Sequence, residues 1–180
     1  MKKRLNIMEK HIIEQRADRV LEAYGYIDGD NHCVYVDSVR LARFFGFDVR
    51  ESSELSATED GYITVSEDAT ERNIIVNDNR SIETKRFIIT HELAHFLLHY
   101  QKNGKFFKHR ENVKGKNSEE NDADYFAACL LMPKKNFESQ YKLLRKNKDF
   151  SYEKIINELQ LKFGTPRESI ERRINEVTSK

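Results

Sequence analysis

The segment of this 180-residue chain whose residue types and spacing could do chemistry is His91-Glu92-Leu93-Ala94-His95. Two histidines four apart on a helix share one face about 6 Å from each other, so both imidazoles can reach a single Zn²⁺ at about 2.0–2.1 Å. Glu92, next to the first histidine, points to the side of such an ion. A carboxylate there can take a proton from water at the metal without itself being a ligand. The surroundings favour this reading over a structural histidine pair or a chance match. Phe87, Ile88 and Ile89 precede the segment and Phe96, Leu97 and Leu98 follow it, so a buried helix carries polar groups that need partners. Metal ligation would supply them.

A catalytic zinc takes three protein ligands and keeps one position open. His99 lies eight residues beyond His91, about 12 Å along an unbroken helix, and no Gly intervenes to break it. It reads as a helix-end histidine near the negative end of the dipole. Ser118-Glu119-Glu120-Asn121-Asp122-Ala123-Asp124 offers more. Ser118 suits an N-cap, the acidic residues suit the first turn, and Glu120 and Asp124 fall one turn apart on one face. The spacing suggests that Glu120 binds zinc while Asp124 accepts the free ring N–H of a liganding histidine. Ala123, Ala127 and Ala128 would keep that side thin enough for close approach to the HELAH helix. Glu119 is the alternative ligand, and a solvated acidic first turn is the alternative to any ligand at all.

Phe87 to His99, followed by Glu120 to Pro133, resembles the ImmA/IrrE family of bacterial and phage metallo-endopeptidases. Asp60-Gly61-Tyr62-Ile63 and Asn73-Ile74-Ile75-Val76-Asn77 look like the family's two short strands, and Phe163 to Ile174 is similar to its C-terminal helical pair. The resemblance implies an α+β, zincin-like minimal metalloprotease fold, in which a small antiparallel or mixed sheet accompanies an active-site helix and a C-terminal helical region. It implies His91, His95 and Glu120 as zinc ligands and Glu92 as general base. It further implies a helix-turn-helix repressor of a mobile element, phage or stress response as protein substrate. Two positions depart from the family pattern: Asp124 stands where Asn is common, and Ala94 where Gly is frequent.

With 38% hydrophobic and 34% charged residues, the chain fits one domain over 1–180 with a single core. A mean hydropathy of −0.75 argues for a soluble protein. Met1 to Lys10 is basic without an apolar region behind it, and no run of 18 apolar residues occurs, so a cytoplasmic location and no membrane partner are expected. Cys33 and Cys129 are too few for a disulfide framework and lack CxxC spacing; Cys129 reads as a small buried residue. Residues 1–90 hold 13 Lys+Arg against 17 Asp+Glu, and residues 91–180 hold 18 against 13. Much of the basic excess falls in Lys102 to Lys116, a non-periodic stretch expected to be a mobile loop at the mouth of the site. Simple solvation competes there with a flap closing Phe106 and Phe107 over bound peptide.

The positioning elements follow from caps and periods. Residues 1–9 read as a loose tail, 10–24 as an amphipathic helix ending before Gly25, and Val39 to Phe45 as a short helix stopped at Gly46. Val49, Tyr62 to Val65 and Ile74 to Val76 suggest strands, with Ile74 to Val76 or its neighbour as either a substrate-pairing edge or an ordinary core strand. Within 147–178, an apolar stripe of Ile155, Ile156, Leu159 and Phe163 leads to a turn at Gly164. Thr165-Pro166-Arg167-Glu168 then reads as a capping box for a second stripe, Ile170, Ile174 and Val177. This pair imitates a helix-turn-helix, and Arg167, Arg172 and Arg173 could meet phosphates. Glu168, Glu171 and Glu176 and a pI of about 7.8 argue against direct nucleic-acid binding and for packing beside the catalytic helices.

The chemistry that results is zinc-assisted peptide hydrolysis, with Tyr100, His109 and Tyr125 as candidate auxiliary oxyanion donors. Two readings from other classes stand beside it: a non-proteolytic zinc-containing module that sequesters a transcription regulator, and a DNA-binding regulator.

Overall fold

Asn6 opens the first helix through a reciprocal capping box with Glu9, and Gly25 closes it in the left-handed conformation at φ 83°. The helix therefore spans Ile7–Tyr24 (α1), three residues earlier than the apolar period indicates. The loose tail expected over residues 1–9 gives way at Asn6, because a capped first turn needs no buried face to form. The structure, a computed structural model, describes residues 5–26, 35–100, 107–110 and 118–178, with backbone alone for 107–110.

Asp37 caps Ser38–Phe44 (α2) by accepting from the amides of Val39 and Arg40. Three strands follow, Asp48–Ser52 (β1), Gly61–Val65 (β2) and Arg72–Asn77 (β3), then Ile82–His95 (α3), a π-helical turn Phe96–Tyr100, and Phe107–Arg110 (β4). Four helices complete the described chain: Ser118–Leu131 (α4), Lys134–Arg145 (α5), Tyr152–Phe163 (α6) and Arg167–Thr178 (α7). The fold is α+β, with a mixed four-stranded sheet in the order β1-β3-β2-β4; β1 runs parallel to β3, and the other pairs are antiparallel.

Gly61, Ile63 and Val65 on β2 and Ile74 and Val76 on β3 put one buried face of the sheet against α3. The approach is close. A Cβ at Gly61 would stand 2.7 Å from both Ile75 O and Ile88 Cγ2. Ile74 to Val76 is thus a core strand with both edges paired, and the edges of the described sheet are β1 and β4. The period of two could not tell an edge from a centre, because both bury alternate residues. Part of the Lys102 to Lys116 stretch, read as loop, pairs as β4 with β2. The rest of that stretch, with the proposed flap residue Phe106, lies outside the described residues, as do the side chains of Phe107 and His109.

One apolar cluster runs from α1 through the sheet to α7. The C-terminal pair is fastened to α3 by Arg86, whose guanidinium donates to Gly164 O at 2.8 Å, Val36 O at 2.8 Å and Phe163 O at 3.3 Å and lies over the Tyr35 ring. Gly164 adopts φ 58° in this crowded corner. Thr165 does not form the expected capping box. It is fully buried, and its hydroxyl turns to Met132 Sδ at 3.6 Å.

Candidate metal centre

Ser81 caps α3 by accepting from the Thr84 amide, and from Ile88 to His95 every residue of the helix is buried. That placement forces the polar residues of HELAH into the interior, where each needs a partner. His91 Nε2 and His95 Nε2 face each other at 3.0 Å. From α4, Glu120 brings Oε2 to 3.3 Å from His91 Nε2 and Oε1 to 3.4 Å from His95 Nε2. Donor atoms of neighbouring ligands on a tetrahedral Zn²⁺ stand about 3.3–3.4 Å apart, as bond lengths of about 2.0–2.1 Å require. His91, His95 and Glu120 therefore could hold a single ion with little rearrangement.

The helices meet closely because the α4 side facing inward is small: Ala123, Ala127 and Ala128 are all buried. Asp124, one turn beyond Glu120, places Oδ1 3.1 Å from His91 Nδ1, the ring nitrogen that does not face the triad. Its other oxygen, Oδ2, is 3.6 Å from Arg172 Nη1 on α7. Glu119 is exposed, so the face carrying Glu120 and Asp124 is the one turned to the histidines. The described part of helix α4 runs from Ser118, and the residues before it lie outside the described chain. Glu92 is wholly buried beside the pair.

The electrostatics also favour a cation. Burial alone would depress the His91 pKa, yet hydrogen bonds to Asp124 and Glu120 and the charge of Glu92 lift it from 6.5 to about 10. A pocket that stabilises a proton this strongly on one imidazole offers the same field to a divalent ion.

The residues thought to assist sort differently. Tyr125 points away from the triad and donates its hydroxyl to Glu14 Oε1 at 3.0 Å, so it is not positioned to stabilise an oxyanion. Tyr100 stacks on Phe96, ring centroids 4.8 Å apart. His99 is buried with its ring 5.6 Å from that of His95, outside the triad, and the chain turns there through a π-helical turn with no Gly. Sequence spacing alone overlooked two residues. Arg86 and Arg172 are surface types by composition, and their partners lie far off in sequence: Arg86 donates to carbonyls 50, 77 and 78 positions away, and Arg172 meets Asp124 on another helix.

Over residues 41–175 the sequence matches the family described as IrrE N-terminal-like domain. Among solved structures it is similar to a Mycobacterium tuberculosis transcriptional regulator, with a TM-score of 0.58 and 18% identity over 92% of this chain. This chain spans 47% of that one, and the likeness is one of fold. No curated protein matches the sequence.

Proposed function

The chain belongs to the ImmA/IrrE family of metallopeptidases, and from that premise we propose that it is a zinc-dependent endopeptidase hydrolysing a peptide bond in a specific protein. The observation that carries this reading is the triangle of His91 Nε2, His95 Nε2 and the Glu120 carboxylate, with edges of 3.0, 3.3 and 3.4 Å, beside the buried Glu92. Two nitrogens and one oxygen suit zinc and leave a position for water or substrate. Zinc held there would supply Lewis acidity toward water and the scissile carbonyl. Asp124 accepts a hydrogen bond from His91 Nδ1–H, which fixes the tautomer and leaves the Nε2 lone pair for the ion. Glu92 accepts the proton of the attacking water and returns it to the leaving amine nitrogen.

For the substrate we favour a helix-turn-helix repressor, on the family resemblance; the fold neighbour is itself described as a transcriptional regulator. Among the described residues no helix is long and apolar enough to cross a membrane, and we place the reaction in the cytoplasm, where such repressors act. The three arginines that could meet phosphates are engaged within the chain, which disfavours direct DNA binding by the C-terminal pair. Arg167 is held by Glu153 and Glu171, Arg173 is 1% exposed, and Arg172 faces Asp124.

Glu92→Gln tests the enzyme reading. The variant should keep stoichiometric zinc and partner binding while losing cleavage by about 10² to 10⁴-fold. Relief of repression by that variant would instead establish a module that works by sequestration.

A further inference from the structure

Helix α7 is held in one rotational setting. Arg173 is buried to 1% and reaches Met132 O at 3.2 Å, Glu14 at 3.1 Å and Glu176 at 3.5 Å, and Ile170 and Ile174 pack in the core. With those three turned inward, the adjacent Arg172 is delivered to the side of α4 that carries Asp124. Its Nη1 sits 3.6 Å from Asp124 Oδ2 while Asp124 Oδ1 sits 3.1 Å from His91 Nδ1. The two oxygens of one nearly buried carboxylate thus face two cationic or N–H groups on different elements, α3 and α7.

We propose that Arg172 is a positioning residue of the metal centre, acting through Asp124 to orient the carboxylate that holds His91. This rests on the metal reading above. The chemistry at position 124 fits it: an Asn there would present its NH₂ group to either His91 Nδ1–H or Arg172, donor against donor, whereas Asp satisfies both at once. The Arg172 side chain is 53% exposed, so its ion pair contributes little to folding. Its effect is read at the metal. Without Arg172 the Asp124 carboxylate loses one of the groups that orient it toward Nδ1, and the outer partner of a liganding histidine typically governs about 10 to 100-fold in metal affinity.

The test is a competition of full-length protein with a zinc chelator across Arg172→Gln, Asp124→Asn and the double variant, with apo melting temperatures alongside. Arg172→Gln should weaken zinc binding at least threefold at an unchanged apo melting temperature. In the Asp124→Asn background the same substitution should cause no further loss. Affinity lost by less than threefold overturns the proposal, as does tighter binding, the result expected from removing a neighbouring positive charge alone. A loss that persists beside Asn at 124 also overturns it, since Arg172 would then act by another route. Wild-type protein that holds no zinc removable by Glu120→Ala overturns the metal reading and this proposal together, an outcome distinct from the others.

Discussion

Asp124 and Tyr125 are neighbours on α4 with opposite duties, the first turned to His91 and the second to Glu14. Glu120→Ala should strip the zinc measured by elemental analysis, while Glu119→Ala, a change at an exposed position, should leave it in place. Tyr125→Phe should leave cleavage intact and cost about 1.5–3 kcal/mol in urea unfolding, the range for a hydrogen bond to a charged group. The sequence made the first pair of expectations legible and not the last. Two site residues one turn apart on each of two helices are a local geometry, which the 3.6 period encodes. The direction of the Tyr125 hydroxyl is set by Glu14, 111 positions away, and no local pattern carries that.

Helix ends and strands were readable for the same reason. Gly25 and Gly164 take the left-handed conformation that their place after an apolar stripe implies, and Val49, Ile63 and Ile74 fall on strands. What escaped were choices made by packing. The π-helical turn at Phe96–Tyr100 has neither Gly nor Pro to announce it; it lets Phe96 pack edge-on against Phe47 at 4.9 Å while stacking on Tyr100. Thr165 gives up a cap for a buried contact with Met132 because the junction of α6 and α7 is sealed by Arg86. That junction yields a prediction. Gly164→Ala would put a Cβ 2.9 Å from Arg86 Nε and from Tyr35 Cε2 at φ 58°, so it should destabilise the fold by about 1–3 kcal/mol. Hydrogen exchange should report the loss first in residues 152–178.

Across the molecule, α1, α4, α5 and α7 are tied by a network around Glu14, which meets Arg173 at 3.1 Å, the Tyr125 hydroxyl at 3.0 Å and Lys134 at 3.3 Å. Burial would raise the Glu14 carboxyl, but the Arg173 charge, the Tyr125 hydroxyl and Lys134 outweigh it and hold the pKa below its ordinary 4.5. A depressed native pKa contributes stability that is fully present above about pH 4.5 and is lost as pH falls through the native value. Glu14→Gln should therefore unfold about 3 kcal/mol more easily at neutral pH and show a flatter stability profile below pH 4.5 than wild type. In the same network burial pushes the Cys129 thiol up to about 12, so it should resist alkylation in the native protein at pH 8 and react on unfolding.

These ties hold α4 and α7 to one another, and with α3 packed directly on α4 they help set the carboxylates of Glu120 and Asp124 against the two imidazoles. The most direct test is an anomalous difference map from crystals of the zinc-loaded protein, measured at the zinc absorption edge. A single peak about 2.0–2.1 Å from His91 Nε2, His95 Nε2 and a Glu120 oxygen is the predicted result. A peak on other ligands, or none from protein carrying stoichiometric zinc, would contradict it.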